Sequence, residues 1–114
     1  MIEVDYCKAL LLRWPAERSD TTLFRRNTGA IKIDGRMFRA GIKGQCDFYA
    51  IGASGYHYEI EVKRHGQKLS PHQINWRDWC LAHNVPWLLL DVERGELPAA
   101  TIERWVSELR GFFR

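Results

Sequence analysis

Residues 47–64 read DFYAIGASGYHYEIEVKR, two runs on either side of a small-residue turn. Ser54-Gly55 is a dipeptide that readily reverses a chain, so 47–53 and 56–64 are expected to pair as an antiparallel hairpin. In the second run Tyr56, Tyr58, Ile60 and Val62 alternate with His57, Glu59, Glu61 and Lys63. Successive side chains of a strand point to opposite faces, so one face is apolar and the other carries two acids and a lysine. With the turn centred near Ser54-Gly55, Asp47 falls across from Glu61 or Val62. Asp47 and Glu61 then converge at the open end of the hairpin, with Lys63 one pleat further on. A row of Glu and Lys is also the ordinary appearance of a solvated strand face with cross-strand pairs.

Outward from the hairpin, the chain reads as one α/β unit. Residues 3–14 place Cys7, Leu10, Leu11 and Trp14 on one helical stripe that Pro15 ends, and Glu3 lies at the inward end of that stripe. IKI-DG-RMF at 31–38 is a second hairpin, since Asp-Gly suits a tight type I′ turn. Ser70-Pro71 opens a helix to about His83, with Asn84 as a left-handed cap and Pro86 beyond it. WLLLDV at 87–92 is a continuous apolar run, as expected of a strand buried on both faces. After Gly95, a last helix from Pro98 repeats Ile102, Trp105, Val106, Leu109, Phe112 and Phe113 at helical spacing. The order α, β-hairpins, α, β, α predicts a mixed central sheet flanked by helices.

The bulk numbers agree with this plan. At 114 residues with 46% hydrophobic and 27% charged side chains, the chain is expected to form a single domain, 1–114, with one core. The formal charge of +3 leans mildly towards a nucleic-acid partner, and its distribution leans further. Between Arg25 and Lys43, the cations Arg25, Arg26, Lys32, Arg36, Arg39 and Lys43 meet only one acid, Asp34. Cys7, Cys46 and Cys80 form neither a disulfide framework nor a CxxC knuckle, which favours a reducing compartment. The N-terminal MIEVDYCKALLL carries acids where a secretory signal carries cations, and its apolar run is too short for a membrane span. A soluble, cytoplasmic protein with no membrane partner is expected. The four histidines lack zinc spacing.

Asp47, Glu61 and Lys63 together suit a particular chemistry. Hard divalent cations such as Mg²⁺ take carboxylate oxygens and keep positions for water and phosphate. A lysine beside them can orient or deprotonate the attacking water, or stabilise charge developing on a phosphate.

The ordered set Gly41, Gly44, Asp47, Glu61-Val62-Lys63, Gly66 and Leu69-Ser70-Pro71-His72-Gln73 resembles the nuclease core of the VRR-NUC family. That family belongs to the PD-(D/E)XK superfamily of metal-dependent phosphodiesterases. Arg25-Arg26-Asn27-Thr28-Gly29 is similar to its Arg-x-Asn-Thr-Gly turn, and Glu3 matches in position the acid of its first helix, with Asp5 as the neighbouring alternative. The resemblance runs to about Val92. Gln45-Cys46 departs from it, since members often carry Thr-Pro before the acid.

The resemblance implies a restriction-endonuclease-like core and a Mg²⁺- or Mn²⁺-dependent DNA endonuclease. Asp47, Glu61 and the main-chain carbonyl of Val62 would bind the metal. Lys63 would position or activate the water, Glu3 would hold a second metal or a water on it, and Gln73 would face the site. Each has a plainer reading: a salt bridge for Lys63, a favourable helix-dipole position for Glu3, and a capping box with Ser70 for Gln73. Arg25, Arg26, Asn27, Lys43, Arg64 and Lys68 are candidate phosphate contacts as a group. Trp76 and Trp79, three apart on a helix, read as packing in the core or at an interface rather than as a base-stacking pair.

Minimal members of this kind are typically viral or bacterial, which places the expected protein in a bacterial host cell, nucleoid-associated or phage-encoded. They imply four-way (Holliday) junction cleavage by a homodimer, because the core leaves no room for a separate recognition domain. Trp76, Trp79, Trp105, Phe112 and Phe113 exceed what one small core needs and favour that dimer. Two alternatives stand beside it: a nuclease subunit active only with a helicase or replication partner, and a catalytically silent DNA-binding module.

Overall fold

The computed structural model describes residues 2–26, 30–39 and 41–113. Helix α1 (Glu3–Arg13) is followed by a 3₁₀ turn over Trp14–Glu17 that contains Pro15. Strand β1 (Thr22–Arg25), the hairpin β2 (Ala30–Ile33) and β3 (Arg36–Arg39), and the hairpin β4 (Phe48–Ile51) and β5 (His57–Lys63) come next. Helix α2 (Pro71–Ala82), strand β6 (Trp87–Asp91) and helix α3 (Pro98–Phe112) complete the chain.

Four strands form one sheet in the order β1-β4-β5-β6, while β2 and β3 pair separately. β4 pairs antiparallel with both β1 and β5, and β6 joins β5 in parallel after the α2 crossover. The sheet is therefore mixed, as the element order predicts. Both tight turns have their expected chemistry: Asp34 and Gly35 have φ of +50° and +77°, and Ser54 and Gly55 have +62° and +78°. Asn84 follows α2 in the left-handed region at φ +58°.

One sheet face is the apolar core. The register aligns Leu23, Ala50 and Tyr58 across β1, β4 and β5, and Val62 with Leu90 across β5 and β6. α1 and α3 cover this face with Tyr6, Cys7, Leu10, Ile102, Trp105, Val106 and Leu109. Tyr6 occupies the inward position expected of Leu11, which is exposed. The α3 aromatics are core residues: Trp105 is fully buried, and Phe112 and Phe113 pack edge-on against the Tyr58 ring. This removes three of the five aromatics expected to make a dimer surface.

Two further expectations are corrected. The charged face of β5 is not solvated, because Glu59 is 0% and Glu61 2% exposed. Both faces of the strand are covered from Tyr58 to Val62, and its two edges are paired with β4 and β6. Conversely, the apolar run in β6 is not buried on both faces: only Leu90 is buried and Leu89 is 37% exposed, on the last strand of this sheet. Among the described residues no helix is long and apolar enough to cross a membrane.

Candidate metal centre

The hairpin register sets the centre. Phe48 pairs with Ile60, so the next position brings Asp47 opposite Glu61. The main-chain N–H of Val62 donates to Asp47 Oδ2 at 2.9 Å, fixing that carboxylate against the strand. Glu3, the first residue of α1, completes the group. One carboxylate oxygen from each of Glu3, Asp47 and Glu61 lies within 4.8 Å of the others. Asp5 is exposed on the same helix and stands outside the group.

Gln73 serves both of its readings at once, using different atoms. Its Oε1 accepts from the Ser70 N–H at 2.9 Å, and its own N–H donates to Ser70 Oγ at 3.2 Å, closing the capping box. The remaining amide nitrogen, Nε2, donates to Glu61 Oε1 at 3.1 Å. The helix cap and the carboxylate are thus joined through one side chain.

Gly44 lets that junction close. Its φ is +94°, and a Cβ there would lie 2.3 Å from the main-chain oxygen of His72 and 2.9 Å from the main-chain nitrogen of Gln73. The loop before Asp47 therefore lies directly on the first turn of α2. Gln45 closes a local turn by accepting from the Ile42 N–H, and Cys46 is buried, which is how Gln-Cys occupies this approach. Gly44→Ala is expected to cost about 2 kcal/mol or more, from left-handed strain plus the backbone clash. Gly66→Ala, at a left-handed glycine with open space around it, bears the strain alone. Urea unfolding of the two variants checks the difference.

Electrostatics mark the same three residues. Burial pushes the Glu61 carboxyl up to about 9, helped by the charge of Asp47, while Lys63 pulls the other way. Glu3 is also raised, first by burial and then by Asp47, against the opposing charges of Lys63, Arg64 and Arg25. Crowded carboxylates in a low dielectric resist full ionisation. In addition, Glu61 Oε2 is buried without a hydrogen-bond donor. An orphaned carboxylate oxygen among three acids fits a hard divalent cation, with Glu3, Asp47 and Glu61 as the residues that would hold it.

A pH dependence follows. Glu61 titrates higher folded than at its ordinary 4.5, so its favourable contribution is complete below that value and is lost as pH rises towards about 9. The metal-free fold is expected to lose thermal stability across this window, and Mg²⁺ or Mn²⁺ to restore it most at the alkaline end. Melting curves in EDTA and in metal at several pH values check both.

No protein-family model and no curated protein matches this chain. Among solved structures, one described as a VRR_NUC domain superposes with a TM-score of 0.58 at 17% identity, covering 98% of this chain and 97% of that one. The fold is that of a VRR_NUC domain. At that identity the likeness carries the architecture, a restriction-endonuclease-like α/β core, and the chemistry rests on the residues.

Within this VRR_NUC fold, the expected phosphate contacts divide. Arg25 and Arg64 act electrostatically on Glu3, so they flank the carboxylates. Lys43 is exposed beside α2, and Lys68 is exposed between β5 and α2. Asn27 lies outside the described residues.

Arg26 is corrected: it forms a two-pronged ion pair with Glu59, at 2.6 and 2.9 Å, and donates to the Cys46 carbonyl at 3.1 Å. His57 Nε2 and Trp76 Nε1 meet the same carboxylate at 2.5 and 2.9 Å. Glu59 is therefore a fully buried, fully partnered acid under α2, and Arg26 is its counter-ion. No local spacing links residues 33 positions apart, and this network was invisible to motif reading.

Proposed function

We propose that this chain is a divalent-metal-dependent endodeoxyribonuclease that hydrolyses phosphodiester bonds. The observation that carries the reading is the convergence of the Glu3, Asp47 and Glu61 carboxylates, each with an oxygen within 4.8 Å of the others. The likeness to a VRR_NUC domain supports it at the level of fold.

A Mg²⁺ or Mn²⁺ ion held by these carboxylates would supply Lewis-acid polarisation of a phosphate oxygen. The protein's own groups do the rest. Asp47 is oriented by the Val62 N–H, and Glu61 by Gln73 Nε2. The Val62 carbonyl would be a further ligand. Lys63, whose positive charge acts on both Glu61 and Glu3, orients the attacking water and stabilises charge developing on the phosphate. Arg25, Arg64, Lys43 and Lys68 neutralise flanking phosphates.

The preferred substrate in this reading is branched DNA, a four-way junction cut by a homodimer that presents two sites to two strands. The test incubates the protein with four-way junctions, flaps, linear duplex and single strands in Mg²⁺, Mn²⁺ or EDTA, and measures its mass by sedimentation. Metal-dependent cleavage with junction preference by a dimer is expected. Cleavage in EDTA overturns the mechanism; equal cutting of plain duplex, or a monomer, overturns the junction assignment alone. Binding without cleavage supports a silent DNA-binding module, and cleavage only with an added helicase supports a partner-dependent subunit.

A further inference from the structure

Glu59 stands two residues before Glu61 on the same face of β5, roughly 7 Å away along the strand. It is a buried charge, and two apolar side chains in place of Glu59 and Arg26 would stabilise a core as well or better. An apolar pair could not hold separate elements at fixed points. Glu59 receives Arg26 from just beyond β1, His57 from its own strand and Trp76 from α2.

Two of these partners lead to the carboxylate centre by one short step. Arg26 grips the chain on both sides of the Asp47 α-carbon. Its main-chain N–H donates to the Asp47 carbonyl at 2.8 Å, and its Nη1 donates to the Cys46 carbonyl at 3.1 Å. The peptide groups that carry the Asp47 side chain are thus tied to the residue whose guanidinium Glu59 holds.

Trp76 lies three residues after Gln73, on the same side of α2. Gln73 Nε2 donates to Glu61 Oε1 at 3.1 Å, and Trp76 Nε1 donates to Glu59 Oε1 at 2.9 Å. The helix therefore meets β5 at two carboxylates. One hydrogen bond would let α2 swivel or slide on the strand; two, nearly a turn apart, fix both. Trp79, next along α2, takes no part: it is 49% exposed, and its ring stacks on Trp76 and His83.

We infer that Glu59, Arg26 and Trp76 are positioning residues for the metal centre, acting through Asp47 and Gln73 and not as ligands. This role rests on the nuclease reading and extends it to residues that set the three carboxylates in place.

The test measures Mn²⁺ affinity from the paramagnetic resonance of the free ion, and melting in EDTA, for the parent and four variants. Trp76→Phe removes the N–H and keeps a ring. Arg26→Lys keeps a charge facing Glu59, but one ammonium replaces the fork that reaches Glu59 and the Cys46 carbonyl together. Both are expected to weaken Mn²⁺ binding about 10- to 100-fold. Trp79→Phe is expected to bind as the parent does. So is Val106→Ala, which opens the core on α3 and lowers the melting temperature without touching the network.

Parent-like Mn²⁺ affinity in either Trp76→Phe or Arg26→Lys overturns the inference. Equal weakening in Val106→Ala also overturns it, because any loosening of the fold would then do the same. In both cases a parent that binds Mn²⁺ and cuts DNA keeps the nuclease reading, and only the positioning role fails. If the parent binds no Mn²⁺, the metal-dependent reading fails and this role with it.

Discussion

Asp47→Asn is expected to stop cleavage in Mg²⁺ and Mn²⁺ while making the metal-free protein more resistant to heat above neutral pH. The two effects have one cause. Asparagine keeps an oxygen to accept the Val62 N–H, so the end of β4 stays anchored. What disappears is the negative charge, which is the largest contribution after burial in raising Glu61. Without it, Glu61 ionises at lower pH in the folded state, and less stability is lost between its ordinary 4.5 and about 9. The same charge is what would hold the cation. Losing several kcal/mol of transition-state stabilisation corresponds to about 10³-fold or more in rate.

Single-turnover cleavage and melting in EDTA at neutral and alkaline pH test both halves. Parent-like cleavage, or a lower melting temperature in EDTA, would count against the centre described above. Lys63→Ala separates the roles: activity falls about 10²- to 10⁴-fold. The metal-free protein becomes less stable at alkaline pH, because Lys63 acts on Glu61 in the opposite direction to Asp47.

Arg26→Ala is expected to destabilise the fold by about 3–5 kcal/mol, the usual penalty for leaving one member of a buried ion pair without its partner. Glu59 is fully buried, and His57 and Trp76 alone would face its charge. Arg26→Met combined with Glu59→Gln is expected to regain much of the loss, since glutamine still accepts from Trp76 and carries no charge. Arg25 gives the contrast. Arg25→Ala is expected to leave stability within about 0.5 kcal/mol and to reduce the salt dependence of DNA binding by about one phosphate contact. Urea titrations and binding measured over a range of salt distinguish the two neighbours. A stable Arg26→Ala protein with a reduced salt slope would return Arg26 to the DNA track.

These two predictions also show what could be read from the chain. The Asp47–Glu61 pairing follows from counting outward from Ser54-Gly55, because hairpin register is set by its turn. The Ser70–Gln73 cap and the Asp34-Gly35 turn are equally local. Glu59 was not legible as a buried acid, since alternation reports which residues share a face and not what covers that face. Its cover comes from α2, and its counter-ion from the end of β1. The run in β6 misled for a related reason: apolar continuity does not distinguish an interior strand from an edge strand in a small sheet. The α3 aromatics were counted as surplus because composition alone does not show how much ring area Tyr58 and its neighbours can absorb.

The double role of Gln73 has a kinetic meaning. The first turn of a helix is where unwinding begins, and here that turn holds one end of a hydrogen bond to Glu61. Fraying of α2 and release of the carboxylate are then one opening event with one free energy. Amide hydrogen exchange at Gln73 therefore serves as a clock for how long the centre stays assembled, and any ligand that holds Glu61 in place slows it.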